Sequence, residues 1–214
     1  MATSAIPWAI VVPVKRLADA KTRIATSSAI RERLALAMAL DTVRAALACA
    51  DVAVVVAVTD DERATALLLA LGARVVPDEP GAGLNPALAH GVVAAAGLLD
   101  GAVAALSADL PGLRPDDLAA VLARATQHDS ATVADMAGDG TTLLTARSAR
   151  LFRPAFGANS RSAHAALGAV DLSAFAAESV RRDVDTLADL RAVAQLGCGP
   201  ATSELLAGDA HLLD

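Results

Sequence analysis

The sequence predicts a single three-layer α/β domain, in which a mainly parallel sheet carries helices on both faces and the second half adds an antiparallel excursion. Short apolar runs alternate with longer amphipathic stretches up to residue 125, which is the pattern of repeated βα units. Beyond residue 130, two strand-like runs flank a glycine-containing turn. The chain has 214 residues, of which 55% are apolar and 20% charged, and this composition suffices for one compact core.

The first half of the chain consists of alternating strand and helix patterns. Apolar, largely β-branched runs predict buried strands over residues 8–14, 52–58, 74–77 and 102–107. Amphipathic or capped segments predict helices over residues 28–48, from about 60 to 71, from 85 to about 99, and over 115–125. This order predicts parallel strands connected by helices.

Cap signals locate the ends of two of these helices. Thr59 and Glu62 have the capping-box spacing for the second helix, which Gly72 should end. Asn85 followed by Pro86 predicts a cap and the first helical position of the third helix.

The second half departs from simple alternation. Strands over 131–135 and 141–147 are separated by small and acidic residues, which predicts an antiparallel hairpin. A short helix over 160–167, a strand over 180–185 and a last helix over 186–196 complete the prediction.

Composition excludes several classes of function. The net charge of −6 and the aromatic content of 2% argue against a polynucleotide partner. Cys49 and Cys198 are too few and too far apart for a zinc site or a disulfide framework, so both are expected to be buried and reduced. The four histidines lack metal-ligand spacing. Without a signal peptide or a membrane-spanning run, the protein is expected to be cytoplasmic and to have no membrane partner.

Acidic residues follow two predicted strands, at the edge where open α/β sheets bind ligands. Asp109 comes directly after the fourth strand, in a turn formed by Pro111 and Gly112. Asp183 and Asp185 lie at positions i and i+2 of a predicted strand, so their carboxylates should be side by side, about 7 Å apart. Paired carboxylates favour a hard divalent cation such as Mg²⁺ between them. An Asx turn at Asp109 and a solvated edge at the Asp pair are the structural alternatives.

Basic residues concentrate in one loop of this acidic protein. The chain has 16 Arg but only two Lys, and both, Lys15 and Lys21, lie with Arg16 and Arg23 in the loop after the first strand. Lysine is a compact point charge suited to phosphate oxygens, so the loop predicts a triphosphate site. Its alternative is a solvated basic loop.

A second anion site is predicted near residue 160. Gly157-Ala158-Asn159-Ser160 precedes a helix whose first N–H groups could bind an anion, and hydroxyls follow a hairpin turn at Thr141 and Thr142. Ordinary capping by Asn159 or Ser160 is the alternative.

Several of these segments, in this order, resemble one enzyme family. They are residues 13–23, Gly83-Leu84-Asn85, Ala108-Asp109-Leu110-Pro111, residues 156–160 and Asp183-Val184-Asp185-Thr186. Together they resemble the phospholactate or phosphoenolpyruvate guanylyltransferases of coenzyme F-420 biosynthesis, within the GT-A-like, Rossmann-like nucleotidyltransferases. The resemblance extends from about residue 8 to 202 and implies one domain over 1–214, with a nucleotide-binding half at about 8–112 and an acceptor- and metal-binding half at about 113–200.

The resemblance implies transfer of GMP from GTP to the phosphate of a three-carbon phosphoacid, with release of pyrophosphate. The implied roles are Mg²⁺ binding by Asp109, Asp183 and Asp185, phosphoacid binding by Thr141 (or its neighbour Thr142), Gly157 and Ser160, and nucleotide binding by Lys15, Lys21, Arg23 and Asn85. Lys15, Lys21 and Asp109 are also the expected catalytic residues. The product would pass to the downstream phospholactate transferase.

Four points stay open at this level. The acceptor can be phosphoenolpyruvate, 2-phospholactate or 3-phosphoglycerate, and base preference follows from the resemblance alone. A relative of the same fold acting on a sugar phosphate or a molybdopterin, or a non-catalytic nucleotide-binding module, is the alternative function. A homodimer is possible through an alanine-rich helix face.

Overall fold

A twisted seven-stranded sheet forms the centre of the protein, as seen in a computed structural model that describes residues 6–19, 21, 23–79 and 81–213. Ala20 and Thr22 of the predicted basic loop, Pro80, and residues 1–5 of the chain start lie outside the described residues. The strands are β1 (Trp8–Pro13), β2 (Val52–Val58), β3 (Arg74–Val76), β4 (Ala102–Leu106), β5 (Ser130–Val133), β6 (Leu143–Ala146) and β7 (Val170–Asp171).

Eight α-helices connect and cover these strands within the described part of the chain. They are α1 (Ser28–Ala48), α2 (Glu62–Leu71), α3 (Leu84–Ala96), α4 (Pro115–Ala125), α5 (Ser160–Ala166), α6 (Glu178–Arg181), α7 (Leu187–Leu196) and α8 (Pro200–Gly208). The bounds predicted for α1, β2 and α4 agree residue for residue. The predicted three-layer α/β class is confirmed.

The strand order is β3-β2-β1-β4-β6-β5-β7. Strands β1 to β4 are mutually parallel, whereas β6 runs antiparallel to both β4 and β5. The carboxyl ends of β1, β2, β4 and β5 and the amino end of β6 therefore meet at one edge of the sheet. This edge brings together the basic loop, the Asp109 turn and the β5–β6 hairpin.

Alternate residues of β1 bury against opposite faces of the sheet. Trp8, Ile10 and Val12 pack into the core beneath α1, α2 and α4, while Ala9 and Val11 pack beneath α3. Every one of these side chains is at most 1% exposed. A strand buried on both faces has few ways to shift, so it holds the loop that follows it at a fixed place.

The predicted strand over residues 180–185 is wrong. Helix α6 ends at Arg181, and residues 182–186 form a connecting segment without a strand partner. Its buried centre, Val184, donates its N–H to the carbonyl of Asp109 at 3.1 Å. The acid, valine, acid alternation does place Val184 in the interior. The segment is held there by the hydrogen bond to the Asp109 turn rather than by pairing with a strand.

Both predicted helix caps shift position. Asp61, not Thr59, caps α2 by accepting from the Ala64 N–H at 3.0 Å, and Gly72 ends the helix in the left-handed conformation with φ 101°. Helix α3 begins at Leu84 after Gly83, so Asn85 lies inside the first turn. The amide of Asn85 is instead used in a tertiary contact described below.

Helix α8 and strand β7 were not predicted. The buried carboxylate of Asp41 on α1 accepts from the N–H groups of Ala201 and Thr202, which ties α8 to the core. Cys49 is buried and Cys198 half-buried, and neither forms a disulfide. None of the helices in the described ranges is both long and apolar enough to cross a bilayer.

Candidate active site

Three carboxylates converge at the edge of the sheet. Asp109, Asp183 and Asp185 each offer an oxygen within 4.8 Å of the others, closer than the spacing of about 7 Å expected for a strand. All three are half-buried. The sequence prediction that these acids form one group agrees with the structure.

Helix α1 and the loop before α7 position these carboxylates. The Thr42 hydroxyl contacts the carbonyl of Ala108 at 3.2 Å and accepts from the Leu110 N–H at 3.0 Å, so it holds both sides of the Asp109 turn. On the segment that carries the other two acids, Thr186 and Asp189 form a capping box that starts α7 directly after Asp185 and Thr186. Each acid is thus fixed by a neighbouring backbone contact.

Lys21 lies among the carboxylates. Its Nζ pairs with Asp109 and lies 3.2 Å from Asp185 Oδ1, while Arg23 Nη1 lies 3.2 Å from Asp185 Oδ2. The backbone of Lys21 is left-handed, with φ 54°, an uncommon conformation for a non-glycine residue. Burial acts to lower the pKa of Lys21, but the two carboxylates outweigh it and the pKa is raised.

The surroundings of Asp183 disfavour the charged form of its carboxyl group. Burial, followed by repulsion from Asp109 and Asp185, raises its pKa from 3.8 to about 7. Lys21 opposes this shift only in part. An additional positive charge at this point would relieve the repulsion.

A cavity of about 420 Å³ opens beside the cluster. Its wall combines residues from the basic loop with the Asp109 turn, α1 and the start of α3; Lys15, Lys21, Arg23, Asp109, Asp185, Ala39 and Leu84 are among them. A second cavity of about 340 Å³ lies next to it, and the two share Val14, Lys15 and Asp19. Lys15 therefore lies at the boundary between the two cavities.

A second, uncharged cluster lies under the β5–β6 hairpin. Thr141 Oγ1 is 3.1 Å from His164 Nδ1 and accepts from Ser160 Oγ at 3.1 Å. These three side chains are at most 7% exposed. Gly157, which precedes Ser160 in the chain, has φ 137°, a conformation that disfavours any side chain.

The sheet register places this second cluster near the carboxylates. Leu143 pairs with Leu106, and the Ser107 N–H donates to the carbonyl of Thr142 at 2.8 Å. One residue beyond this pair on the two neighbouring strands β4 and β6, Thr141 lies beside the turn that carries Asp109. Among the described residues, however, Thr141, Gly157, Ser160 and Asp183 are not part of the lining of the larger cavity.

The predicted anion site at the start of α5 differs from the structure. The N–H of Ser160 donates to Gly157 and that of Arg161 to Asp139, so these two amides are already engaged. Neither predicted cap operates, because Asn159 makes no side-chain cap bond and Ser160 Oγ donates to Thr141 instead. The hydroxyls, rather than the backbone of α5, are the available groups.

Asn85 joins the two halves of the site. Its Oδ1 accepts from the Phe156 N–H at 2.8 Å and its Nδ2 donates to the Phe156 carbonyl at 2.9 Å. Leu84, which precedes it, lines the larger cavity. The amide therefore holds the segment before Gly157 against the start of α3.

Several positioning residues were missed by the sequence analysis. The role of Thr42 at the Asp109 turn gives no local signal, because the partners it contacts there lie 66 and 68 residues away. Asp135 accepts from the N–H groups of Gly138, Asp139 and Gly140, and the spacing of this acid before two glycines could have indicated a loop organiser. His164 was noted only as lacking metal-ligand spacing.

A model of the family "Guanylyl transferase CofC like" matches residues 8–208. This chain belongs to that family. It is 56% identical over 203 residues to a protein of Streptomyces coelicolor named phosphoenolpyruvate guanylyltransferase, and the match covers 94% of this chain and 96% of the relative. The guanylyltransferase assignment made from the motifs is confirmed, and the family makes the protein a nucleotidyltransferase.

Solved structures show the same fold at low sequence identity. A protein of Desulfovibrio desulfuricans described as a nucleotide-diphospho-sugar transferase superposes with a TM-score of 0.69 at 17% identity, covering 96% of each chain. A glucosyl-3-phosphoglycerate synthase of Mycobacterium tuberculosis, solved with Mn²⁺ and uridine diphosphate, has a TM-score of 0.51 at 15% identity and covers 79% of this chain and 71% of its own. These likenesses show that the chain shares the α/β fold of these transferases.

The carboxylate cluster has the donor set that a divalent cation requires. Mg²⁺ and Mn²⁺ prefer hard oxygen ligands, and three carboxylates within 4.8 Å supply them without nitrogen or sulfur. Burial, and then repulsion from Asp109 and Asp185, raises the pKa of Asp183, and a bound cation would favour its charged form. The residues present therefore fit a divalent cation.

Proposed function

We propose that the protein transfers GMP from GTP to the phosphate of phosphoenolpyruvate and releases pyrophosphate. The observation that carries this proposal is the 56% identity, over 94% of the chain, to a phosphoenolpyruvate guanylyltransferase. The three carboxylates beside a basic loop support it, since such a site suits a triphosphate and a cation. The same identity favours phosphoenolpyruvate over 2-phospholactate and 3-phosphoglycerate.

The reaction needs no nucleophilic side chain. A phosphate oxygen of phosphoenolpyruvate, ionised at neutral pH, attacks the α-phosphorus of GTP; a P–O bond forms there as the bond to the β-phosphate breaks. The main barrier is the approach of two anions. Asp109, Asp183 and Asp185 would hold Mg²⁺, which when bound supplies positive charge that offsets this repulsion.

Basic residues of the loop complete the nucleotide site. We assign Lys15, Lys21 and Arg23 to the GTP phosphates, because all three line the larger cavity. We assign Lys21, which pairs with Asp109 and Asp185, to the stabilisation of charge on the departing pyrophosphate. Asn85 supports the nucleoside side of the cavity by fixing Leu84 and Phe156.

The phosphoacid is assigned to the hydroxyl cluster. Thr141 and Ser160 offer buried hydroxyls beside the Asp109 turn, and Gly157 keeps the adjacent backbone open. Thr141 is favoured over Thr142, because the Thr142 hydroxyl is directed at the Val133 carbonyl within the sheet at 3.4 Å. Acceptor and nucleotide would then meet across the carboxylates.

Pyrophosphate release tests the proposal. The protein is incubated with Mg²⁺, each of the four nucleoside triphosphates, and phosphoenolpyruvate, 2-phospholactate, 3-phosphoglycerate, a sugar phosphate or a molybdopterin. We expect release with GTP and phosphoenolpyruvate. Release only with a sugar phosphate or a molybdopterin would support the alternative acceptor, and GTP binding in calorimetry without turnover would support a non-catalytic module.

The cellular setting is part of the proposal. We expect the product, a diphosphate-linked guanosine intermediate of coenzyme F-420 biosynthesis, to pass to the downstream phospholactate transferase in the cytoplasm. A homodimer is also proposed, and sedimentation of the purified protein tests it.

A further inference from the structure

His164 is a fully buried histidine that the proposed reaction does not use. It is 0% exposed, on α5, and packs edge-on against Phe156 with ring centroids 5.0 Å apart. Both ring nitrogens have a polar neighbour: Nε2 lies 2.9 Å from the backbone nitrogen of Ala155, and Nδ1 lies 3.1 Å from Thr141 Oγ1. These two contacts determine which nitrogen carries the proton.

The backbone amide of Ala155 fixes the tautomer of His164. An amide N–H can only donate, so Nε2 must be the unprotonated, accepting nitrogen. A neutral imidazole then carries its proton on Nδ1 and donates it to Thr141 Oγ1. Burial lowers the pKa of His164, in agreement with the neutral ring.

The tautomer decides what the two hydroxyls can offer. Thr141 and Ser160 have one proton each, and one of the two is used in the bond between them. Because the imidazole supplies its own proton to Thr141, the second hydroxyl proton is not consumed. Within the described residues this proton has no protein acceptor, although buried hydroxyls are normally paired. The opposite tautomer would accept that proton and leave the pair without a donor.

We infer that His164 is a positioning residue for the acceptor phosphoacid: its Nδ1–H tautomer, set by Ala155, keeps one hydroxyl proton of the Thr141–Ser160 pair available to donate to the anion. This inference rests on the proposed function, which places the phosphoacid at these hydroxyls. It goes further by making the donor property depend on a side chain that does not touch the substrate. The Ala155 N–H sets the tautomer of the imidazole, and the imidazole in turn determines whether the hydroxyl pair can donate.

Two substitutions separate the two ring contacts. His164→Asn keeps a donor near the position of Nδ1 but removes the acceptor for Ala155, whereas His164→Gln keeps an acceptor near Nε2 but removes the donor to Thr141. KM for phosphoenolpyruvate, KM for GTP, kcat and the midpoint of urea unfolding are measured for both variants and the wild type.

We expect binding and stability to change in opposite variants. His164→Gln should raise KM for phosphoenolpyruvate about tenfold, since the Thr141 hydroxyl loses the N–H donor that directs its own proton toward the anion, with KM for GTP unchanged and near-normal stability. His164→Asn should retain the phosphoenolpyruvate KM but unfold at lower urea, because the Ala155 N–H is left unpaired. A purely structural histidine would make KM follow stability instead.

The result that overturns the inference is a phosphoenolpyruvate KM that His164→Gln leaves unchanged, or that both variants raise equally. If the wild type turns over phosphoenolpyruvate while the variants do not separate, the inference is wrong and the proposed function stands. If the wild type shows no turnover, the proposed function is wrong. The comparison is then made on inorganic phosphate binding by calorimetry, where equal affinities of wild type and His164→Gln overturn the inference.

Discussion

The two clusters at the edge of the sheet have opposite physical character. The carboxylates of Asp109, Asp183 and Asp185 are half-buried, mutually repulsive and only partly balanced by Lys21. The hydroxyls of Thr141 and Ser160 and the imidazole of His164 are buried, neutral and linked by hydrogen bonds within the protein. Lys21 and Arg23 do not match the number of carboxylates in the first cluster, whereas the second cluster has one proton to donate.

This difference separates what a ligand must supply from what the fold has already arranged. Binding of a divalent cation should stabilise the charged cluster, because it adds a charge interaction that the folded protein lacks. The neutral cluster is arranged in advance, so binding there costs little reorganisation. Substitutions in the carboxylate cluster should change turnover and its dependence on divalent cations. Substitutions in the neutral cluster should change the affinity for the acceptor.

The largest effect is expected from Asp183→Asn. The change removes one of three clustered charges, so pyrophosphate release should fall on the order of 10³-fold. The free energy of unfolding measured without divalent cations should stay the same or rise, because repulsion with Asp109 and Asp185 is relieved. Steady-state assays and urea titrations measure the two quantities.

Asp129→Asn is the matched control, since Asp129 is exposed and forms a surface ion pair with Arg147 at 3.8 Å. It should retain wild-type turnover. Full turnover by Asp183→Asn would remove Asp183 from the metal site.

The next largest effect concerns Lys21→Met. Loss of the cation that pairs with Asp109 and Asp185 should lower kcat/KM for GTP about 10²-fold and destabilise the protein in the absence of divalent cations. Since the ammonium no longer competes with the ion, Mg²⁺ should raise Tm more in Lys21→Met than in the wild type. Equal Mg²⁺ shifts in the two proteins would mean that lysine and ion do not share a site.

Thr141→Val and Thr142→Val test the neutral cluster and resolve the choice between the two threonines. Thr141→Val should raise KM for phosphoenolpyruvate about tenfold without changing KM for GTP, because one hydroxyl donor is lost. Thr142→Val should leave both constants near the wild type, since its hydroxyl is directed into the sheet. The reverse result would assign the phosphoacid to Thr142.

Local sequence signals predicted much of the fold and the charged cluster. Apolar periodicity located α1, β2 and α4, and the rule that ligands bind at the carboxyl ends of strands selected Lys21 and the three acids. Asp183 and Asp185 were also paired by their i, i+2 spacing, although the strand inferred from that spacing does not form. The spacing of side chains thus predicted which acids group together, even though the strand predicted over residues 180–185 does not form.

Long-range contacts could not be predicted from local patterns. Asn85 resembled a cap because Asn before Pro is a common cap sequence, yet its amide bonds Phe156, 71 residues away. Asp41 and Thr42 belong to an ordinary helix and gain their roles only from α8 and the Asp109 turn. His164 lacked any motif, because its function depends on a backbone amide and a hydroxyl that only the folded chain brings together.

The smallest predicted effect is a pH dependence of stability that originates in the neutral cluster. Burial holds the pKa of His164 below the value of 6.5 that the unfolded chain should show, so between these two values the unfolded state binds more protons. The contribution of His164 to stability should therefore be complete above about pH 7.5 and decrease as the pH falls through 6.5 toward the folded pKa, by about 1.4 kcal/mol per unit of depression. Urea titrations from pH 8 to 5 on the wild type and His164→Gln measure the difference.

Asp183 titrates in both proteins, so the difference curve isolates the imidazole, and His211→Gln, at an exposed histidine, should follow the wild type. Parallel curves for wild type and His164→Gln would assign the pH dependence to the carboxylates and show that the buried ring contributes none of it.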